Sequence, residues 1–230
     1  MGSKERRERE RGELRGLIMD AAREMLAREG YEAISMRKLA DAIEYSPTAI
    51  YAYFTDKEEL FRQICMDDFD RFHANQASAI QEPDPAKRIR LVGEMYIRFA
   101  VEHPNHFRRM FLDPPRVSLS EEQLARRGDP SQDGYAFFRN TVAEAVAAGR
   151  FVPELGNDID LITQTLWAAV HGVAAILVVH GGNDSWVKLK PVEQLTQTML
   201  DTVLATMLAS EPTTAAQTPT KPHKTDRTNR

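Results

Sequence analysis

Two helix-start signals lie close together between residues 35 and 54, and they restrict the fold more than any other feature of the sequence. Ser35 precedes a short apolar stripe at helical spacing, so its hydroxyl can cap a helix that begins at Met36. Ser46 is followed by Pro47, and proline suits the first position of a helix because the N–H that it lacks has no partner there. The spacing therefore predicts two short helices joined by a tight turn.

The second of these helices is predicted to turn an unusual surface to solvent. Ile50 and Phe54 face inward at helical spacing, which leaves small residues and two tyrosines, Tyr51 and Tyr53, on the mostly outer surface. Small side chains let the start of a helix approach a partner closely, and tyrosine hydroxyls can reach phosphate groups. Two short helices in this arrangement form a helix-turn-helix, whose second helix can enter the major groove of DNA. Packing of both tyrosines between helices is the alternative.

Longer helices are predicted on both sides of this pair. Apolar residues from Leu14 to Leu26 recur at helical spacing, and Gly30 then supplies the left-handed position that commonly ends a helix. Upstream, the alternating charges of residues 4–13 are predicted to extend this helix as a solvated arm rather than to form a binding tail. Thr55, with Glu58 three residues later, predicts a capping box at the start of a long fourth helix.

Residues 37–61, RKLADAIEYSPTAIYAYFTDKEELF, resemble the DNA-binding segment of the TetR family of bacterial transcription regulators. The resemblance implies an all-helical homodimer whose N-terminal heads bind a palindromic operator and whose C-terminal domain binds an inducer. One residue departs from the family pattern, because Glu44 stands where the turn usually has glycine; a left-handed Glu44 would cost roughly 1–2 kcal/mol. The predicted DNA-binding residues are Arg37, Ser46, Thr48, Ala49, Tyr51, Tyr53 and Lys57.

The rest of the chain is predicted to form a second helical domain. Asp84-Pro85 and His103-Pro104 each predict a helix start, and Asn157 or Asp158 can cap a long apolar helix. Within that helix, Trp167, His171 and Gly172 resemble the motif of TetR C-terminal domains that are named for a Trp-His-Gly sequence. This second resemblance implies a domain that binds a ligand and dimerises, and it specifies no ligand class.

Several aromatic residues, a methionine and a histidine lie on the predicted helices of this second domain, and we interpret them as the lining of a ligand pocket. His171 can instead be a core histidine with its hydrogen bonds satisfied. The fourth helix would belong to both domains and would couple the pocket to the head. The predicted ligand-binding residues are Tyr96, Phe99, Phe107, Met110, Phe138, Trp167 and His171.

The last two helices are the predicted dimer interface. The helix after Asp158 is apolar on nearly every side from Leu166 onward, and the final helix carries a wide apolar face that includes Leu195, Met199 and Val203. Such surfaces must be covered, and pairing with a second copy would form a four-helix bundle. An ordinary monomer core is the alternative.

Composition excludes several classes of protein. The formal net charge of −4 counts against a general polyanion binder, although a small reading head needs only a few phosphate contacts. Cys65 is the single cysteine, so no internal disulfide can form and a reducing compartment is expected. The start of the chain is charged where a secretory signal would be apolar, and the apolar stretch of residues 166–179 is short for a bilayer. We therefore expect a cytoplasmic protein.

Motifs for catalysis and metal binding are missing from the sequence. It has no P-loop, nucleophile elbow or helical zinc-protease motif. His103 and His106 are close together, yet Pro104 breaks the helix that would aim them at one ion, and no third ligand is evident. Cys65 is most simply a small core residue. We predict no enzymatic activity, no metal site and no cofactor.

These observations predict an all-α protein with three segments. Residues 1–56 would form the helix-turn-helix domain with its charged arm, residues 57–210 the ligand-binding and dimerisation domain, and residues 211–230, rich in threonine and proline, a disordered tail. The predicted function is a ligand-responsive transcription regulator, acting as a repressor that an inducer releases from a palindromic operator. The alternative is a helical small-molecule carrier or enzyme that keeps the helix-turn-helix only as scaffold.

Overall fold

The computed structural model describes residues 3–79, 81–114, 121–181 and 186–209. Regular structure in these residues is helical, as predicted, and Phe151 and Leu208 add one isolated antiparallel bridge. A π-helical turn, Arg108–Leu112, and a 3-10 turn, Pro153–Leu155, interrupt the series of α-helices. The helices are α1 Ser3–Glu29, α2 Met36–Ala42, α3 Pro47–Tyr51, α4 Lys57–Ala79, α5 Pro85–Glu102, α6 Pro104–Phe107, α7 Glu121–Arg126, α8 Gly134–Ala147, α9 Ile159–His180 and α10 Val192–Met207.

The N-terminal helices form a head with its own hydrophobic core. The core joins α1, α2, α3 and the first half of α4, and it includes Ile18, Leu39, Ile50, Phe54 and Phe61. Each of these five side chains is fully buried. The predicted inward face of the second short helix is therefore confirmed, and its burial turns the opposite face of α3 outward.

Local caps start the two short helices where the sequence predicts. The Ser35 hydroxyl accepts a hydrogen bond from the Lys38 N–H at 3.1 Å, and the Ser46 hydroxyl accepts one from the Ala49 N–H at 3.3 Å. Gly30 closes α1 with a φ of 77°. Because a cap depends only on residues within one turn, these boundaries follow from short-range sequence alone.

The cap of α4 differs from the prediction by one residue. Asp56 caps the helix, since its carboxylate accepts a hydrogen bond from the Glu59 N–H at 2.7 Å. Glu59 reaches back to the Thr55 N–H and hydroxyl, both at 2.6 Å. The predicted box of Thr55 with Glu58 is therefore wrong, because the helix starts at Lys57 and the reciprocal pair moves with it. This shift leaves the Glu58 side chain free for other contacts.

The second core lies where α5 packs against α8, α9 and α10. The predicted starts of α5 and α9 are confirmed, because Asp84 accepts from the Ala86 N–H and Asp158 from the Leu161 N–H, each at 3.0 Å. His103 precedes α6 without a side-chain cap bond, so capping does not explain that histidine. Phe72 of α4 packs against this second core, while Phe61 belongs to the head. One helix thus joins the two cores.

Length and composition alone would let α9 cross a membrane, and it is the one helix in the described ranges that passes this test. Its buried face packs against α5, α8 and α10, as expected of a helix in the core of a folded domain. The predicted disordered tail, residues 211–230, lies outside the described residues.

Candidate functional site

The exposed face of α3 is the candidate DNA interface. Tyr51 is 52% exposed and Thr48 is exposed, whereas Ala49 and Tyr53 are half-buried. Arg37 is exposed in the first turn of α2. The alternative in which both tyrosines pack between helices is therefore wrong for Tyr51 and partly correct for Tyr53.

Tyr53 has an internal contact as well as an exposed edge. Its ring packs against the head core, and the guanidinium carbon of Arg11 lies 5.8 Å from the ring centroid. Ser46 also has an internal role, because its hydroxyl is engaged in the cap of α3. The charged arm is thus tied to the segment that follows α3 through a cation–π contact.

Lys57 is the first residue of α4, and its side chain lies against an aromatic ring. Its Nζ lies 3.8 Å from the centroid of Tyr31. Burial lowers the pKa of Lys57, and the neighbouring carboxylates of Glu32 and Glu58 oppose that shift. The ammonium therefore lies against the Tyr31 ring, while the backbone of Lys57 begins α4.

The turn between α2 and α3 contains the one non-glycine residue with positive φ in the described part of the chain. This residue is Glu44, at a φ of 59°. Left-handed backbone costs an ordinary L-residue roughly 1–2 kcal/mol, so the departure from glycine noted in the sequence does introduce strain. The Tyr45 N–H bonds to the Ala40 carbonyl at 3.0 Å and holds the turn closed.

A cavity of about 330 Å³ lies between α4, α5, α8, α9 and the π-helical turn. Its wall is almost wholly apolar, and aromatic rings supply much of it. Cavities of this size and character bind small molecules in many proteins. The lining residues are Phe72, Val92, Gly93, Tyr96, Phe111, Gly134, Tyr135, Phe138, Trp167 and Val170.

Three of the predicted ligand-binding residues line this cavity, namely Tyr96, Phe138 and Trp167. The other four, Phe99, Phe107, Met110 and His171, are not among its lining residues. Phe107 is fully buried, with its ring centroid 5.6 Å from that of Tyr96, and the ring centroid of Phe99 lies 4.7 Å from that of Phe72. These two rings support the wall from behind.

His171 does not line the cavity, but it contacts Tyr96, which does. The Tyr96 hydroxyl lies 2.9 Å from Nδ1 of His171, and the rings of Trp167 and Phe107 lie within 5.7 Å of the imidazole. Burial lowers the pKa of His171 and raises the pKa of Tyr96. A neutral imidazole that carries its proton on Nε2 accepts a hydrogen bond from the phenol O–H at Nδ1, so the pair can be uncharged with its hydrogen bond made.

Sequence reasoning missed seven lining residues: Phe72, Val92, Gly93, Phe111, Gly134, Tyr135 and Val170. Gly93 had a usable signal, because glycine inside a helix is unfavourable unless packing requires it. A Cβ at Gly93 would stand 3.1 Å from atoms of Leu200 and Val170, which makes this position a close approach between helices.

Metal and thiol chemistry have little support in the described ranges, where no group of three or more His, Cys, Asp or Glu side chains is placed to hold an ion. His106 lies 3.6 Å from the Asp68 carboxylate, and its ring is 6.0 Å from that of His103. Burial raises the pKa of Cys65 to about 12, so its thiol is protonated at neutral pH.

Two family models match the chain. One is described as bacterial regulatory proteins, tetR family, and matches residues 18–64; the other is described as tetracyclin repressor-like, C-terminal domain, and matches residues 89–203. The first covers the head from α1 into α4, and the second covers the domain that contains the cavity.

The curated relatives of this chain are likewise named as transcription regulators. The repressor KstR of Mycobacterium tuberculosis is 32% identical over 155 residues, which cover 60% of this chain and 68% of KstR. The repressor KstR2 of the same species is 24% identical over 162 residues, 68% of this chain and 79% of KstR2. The activator FasR of Mycolicibacterium smegmatis is 28% identical over 116 residues, 50% of this chain and only 52% of FasR.

Solved structures share the fold at low identity. The transcriptional regulator FadR from Bacillus subtilis, in complex with stearoyl-CoA, has a TM-score of 0.64 at 17% identity and covers 83% of this chain and 97% of its own. A putative transcriptional regulator from Saccharomonospora viridis, in complex with choline, has a TM-score of 0.67 at 15% identity. The match covers 86% of this chain and 100% of the regulator's chain.

Proposed function

The chain belongs to the tetR family of bacterial regulatory proteins, and we propose that it represses transcription until a small apolar molecule enters the cavity of its second domain. As a member of this family it is a ligand-responsive, DNA-binding transcription regulator. Repression is the finer proposal, since KstR and KstR2 are named repressors while FasR is named an activator. An intracellular, cytoplasmic location follows from the need to reach DNA.

The observation that carries the proposal is the outward presentation of α3. Ile50 anchors the helix in the head core, while Tyr51 and Thr48 stand in solvent at its opposite face. In a helix-turn-helix the second helix enters the major groove, and its exposed side chains contact base edges and phosphates. We assign base and phosphate contacts to Arg37, Ser46, Thr48, Ala49, Tyr51, Tyr53 and Lys57.

The side chains that line the cavity indicate the chemical class of its ligand. Its lining side chains are almost all hydrocarbon or aromatic, and Tyr96 has its hydroxyl engaged by His171. Such a wall favours an apolar ligand, and we propose a long-chain acyl group. This choice agrees with the stearoyl-CoA bound to FadR, which shares the fold. The same aromatic rings would suit a quaternary ammonium such as choline, which is the second candidate. Assignment to the Trp-His-Gly type belongs to this proposal and is supported by the place of Trp167 on the wall.

Homodimerisation is proposed from the outer face of α9. One stripe of this helix stays largely exposed, and its small central residues would allow a second helix to approach closely. Apart from its two chain neighbours and the nearby backbone of α9, no described atom stands within 4 Å of the place where a Cβ would project from Gly172. The stripe consists of Leu161, Thr165, Ala168, Gly172, Ile176 and Val179.

DNA binding is tested by selection of bound fragments from random duplexes at two salt concentrations. We expect a palindrome to be enriched and Tyr51→Ala to weaken its binding by about tenfold, the loss of one good base or phosphate contact. Leu124→Ala is the control, because Leu124 is 51% exposed on α7, outside the head. Absence of enrichment, or equal affinities for wild type and Tyr51→Ala, would contradict the proposal and favour the carrier or enzyme alternative.

Ligand binding is tested by adding stearoyl-CoA or choline to the protein bound to the selected duplex. We expect stearoyl-CoA to release the DNA and Trp167→Ala to reduce that response at least fivefold. Trp186→Ala is the matched control, since Trp186 is 88% exposed and does not line the cavity. Release by choline alone would replace the acyl group with a quaternary ammonium; an unchanged response in Trp167→Ala would contradict the cavity assignment.

A further inference from the structure

Arg109 is a buried arginine at the junction of the two domains. Its side chain is only 5% exposed, although it belongs to a charged stretch of the π-helical turn Arg108–Leu112. One end of its guanidinium group donates to the carbonyl and carboxylate of Asp113, at 2.8 and 3.2 Å. Burial of an arginine is costly unless its hydrogen bonds are made, so its partners must compensate for that cost.

The other end of Arg109 contacts the DNA-binding head. Its Nη2 donates to Oε2 of Glu58 at 2.6 Å, and its guanidinium carbon lies 3.9 Å from the ring centroid of Tyr31. The Tyr31 hydroxyl donates to the other Glu58 oxygen. We call these four residues, Tyr31, Lys57, Glu58 and Arg109, the junction cluster, because Lys57 lies on the same Tyr31 ring.

The junction cluster controls charge beside the candidate phosphate contact. Glu58 is the residue after Lys57, and both stand in the first turn of α4. A carboxylate that is paired with Arg109 repels an approaching phosphate less than an unpaired carboxylate does. Arg109 therefore keeps the start of α4 suitable for an anion, and loss of the pair would leave Glu58 unneutralised next to Lys57.

The same π-helical turn also reaches the cavity. Phe111, two residues after Arg109, lines the cavity, and its ring lies 5.4 Å from Tyr96 and 6.3 Å from His171. The Asp113 N–H bonds to the Arg108 carbonyl at 2.8 Å, which is the wide hydrogen bond of a π-helix. Such turns are rare, and they occur often at functional sites. A displacement of Phe111 would therefore move the backbone that carries Arg109.

We propose that Arg109 is the positioning residue that transmits occupancy of the cavity to the DNA-binding head, by making or releasing its pair with Glu58. Both halves of this inference rest on the proposed function: the ligand-dependent half on the proposed cavity ligand, and the effect of Arg109 on DNA affinity on the proposed contact of Lys57 with DNA. In the empty protein the pair holds the start of α4 in its DNA-binding arrangement. A ligand that pushes Phe111 outward loosens the pair and weakens DNA binding.

The effect of Arg109 on DNA affinity is tested with the selected duplex in the absence of ligand. Arg109→Gln is expected to weaken binding at least tenfold, and to weaken it less than threefold when Glu58 is already Gln, because no carboxylate is then left unpaired. Arg108→Gln removes the same charge from the same turn but from a side chain that contacts the Val178 carbonyl of α9; it should change affinity less than twofold. Equal losses from Arg109→Gln in both Glu58 backgrounds would overturn the inference.

The ligand half compares the DNA dissociation constant with and without saturating stearoyl-CoA. Arg109→Lys and Glu58→Gln are expected to reduce this ratio at least fivefold, while the affinity of the free protein for stearoyl-CoA stays within twofold of wild type. A purely structural role would lower both affinities and leave the ratio unchanged, and that result would overturn transmission through Arg109. Glu58 lies at the surface of the junction, so Glu58→Gln decides whether the Arg109–Glu58 pair transmits ligand occupancy even if Arg109 variants fold poorly. If stearoyl-CoA has no effect on wild type, the ligand class is wrong and transmission in response to that ligand is overturned, while the DNA comparison still decides whether Arg109 supports DNA affinity.

Discussion

The Tyr96 hydroxyl lies 2.9 Å from Nδ1 of His171 and so joins α5 to α9 at the wall of the cavity. The imidazole is surrounded by the rings of Trp167, Phe107 and Phe111, and burial lowers its pKa. The neutral form is therefore favoured in the folded protein, and this has a consequence for stability at acid pH.

Stability should fall as pH drops below about 6.5, the usual histidine value, because the unfolded chain then binds a proton that folded His171 does not. We expect the melting temperature to fall between pH 7.5 and pH 5.5, and the fall to be smaller in His171→Gln. His106, whose pKa is also lowered by burial, acts in the same direction. His180→Gln is the control, since this histidine lies at the end of α9 outside the aromatic cluster. Equal falls in wild type and His171→Gln would contradict the assignment.

Glu44→Gly should stabilise the head. Glycine removes the left-handed penalty at a φ of 59° but adds freedom to the unfolded chain, so we expect a net gain of about 0.5–1 kcal/mol in the free energy of unfolding. Urea unfolding measures this gain. Glu44→Ala removes the charge and keeps the strain, and it should give no gain. If alanine stabilises as much as glycine, the effect comes from charge and not from the backbone.

Two substitutions at Ser46 should separate its cap from its proposed contact with DNA. Ser46→Ala removes the bond to the Ala49 N–H and should cost about 1 kcal/mol of stability. Ser46→Asp keeps a good cap and should preserve stability, but it should weaken operator binding at least tenfold because its carboxylate repels phosphate. Urea unfolding and operator titration give the two readouts. Full operator affinity in Ser46→Asp would remove Ser46 from the DNA interface.

Ile176→Glu should dissociate the proposed dimer. Ile176 is 47% exposed on the α9 stripe, and a buried unpaired carboxylate at a dimer contact is expected to raise the dissociation constant more than tenfold. Sedimentation equilibrium measures the constant. Leu124→Glu introduces the same charge on α7 and should leave association unchanged. An Ile176→Glu protein that associates like wild type would place the dimer interface elsewhere.

Local sequence determined the helices and most of their boundaries. Ser35, Ser46, Asp84 and Asp158 each cap a helix through a bond to an N–H within one turn, and apolar spacing decides which face is buried. The left-handed turn at Glu44 was also predictable, because it follows from the family pattern at a single position. Even here a shift of one residue in the start of α4 was enough to replace Glu58 by Glu59 in the cap.

Only the tertiary structure decided which distant side chains meet. The cavity wall combines residues from four helices and the π-helical turn, so aromatic content alone could not separate Phe111, which lines it, from Phe107, which supports it from behind. Arg109 reads in the sequence as one arginine among several, yet it is buried against Tyr31 and Glu58. Caps and stripes depend on neighbours along the chain, whereas pockets and buried ion pairs depend on how helices pack, and short-range sequence does not encode that packing.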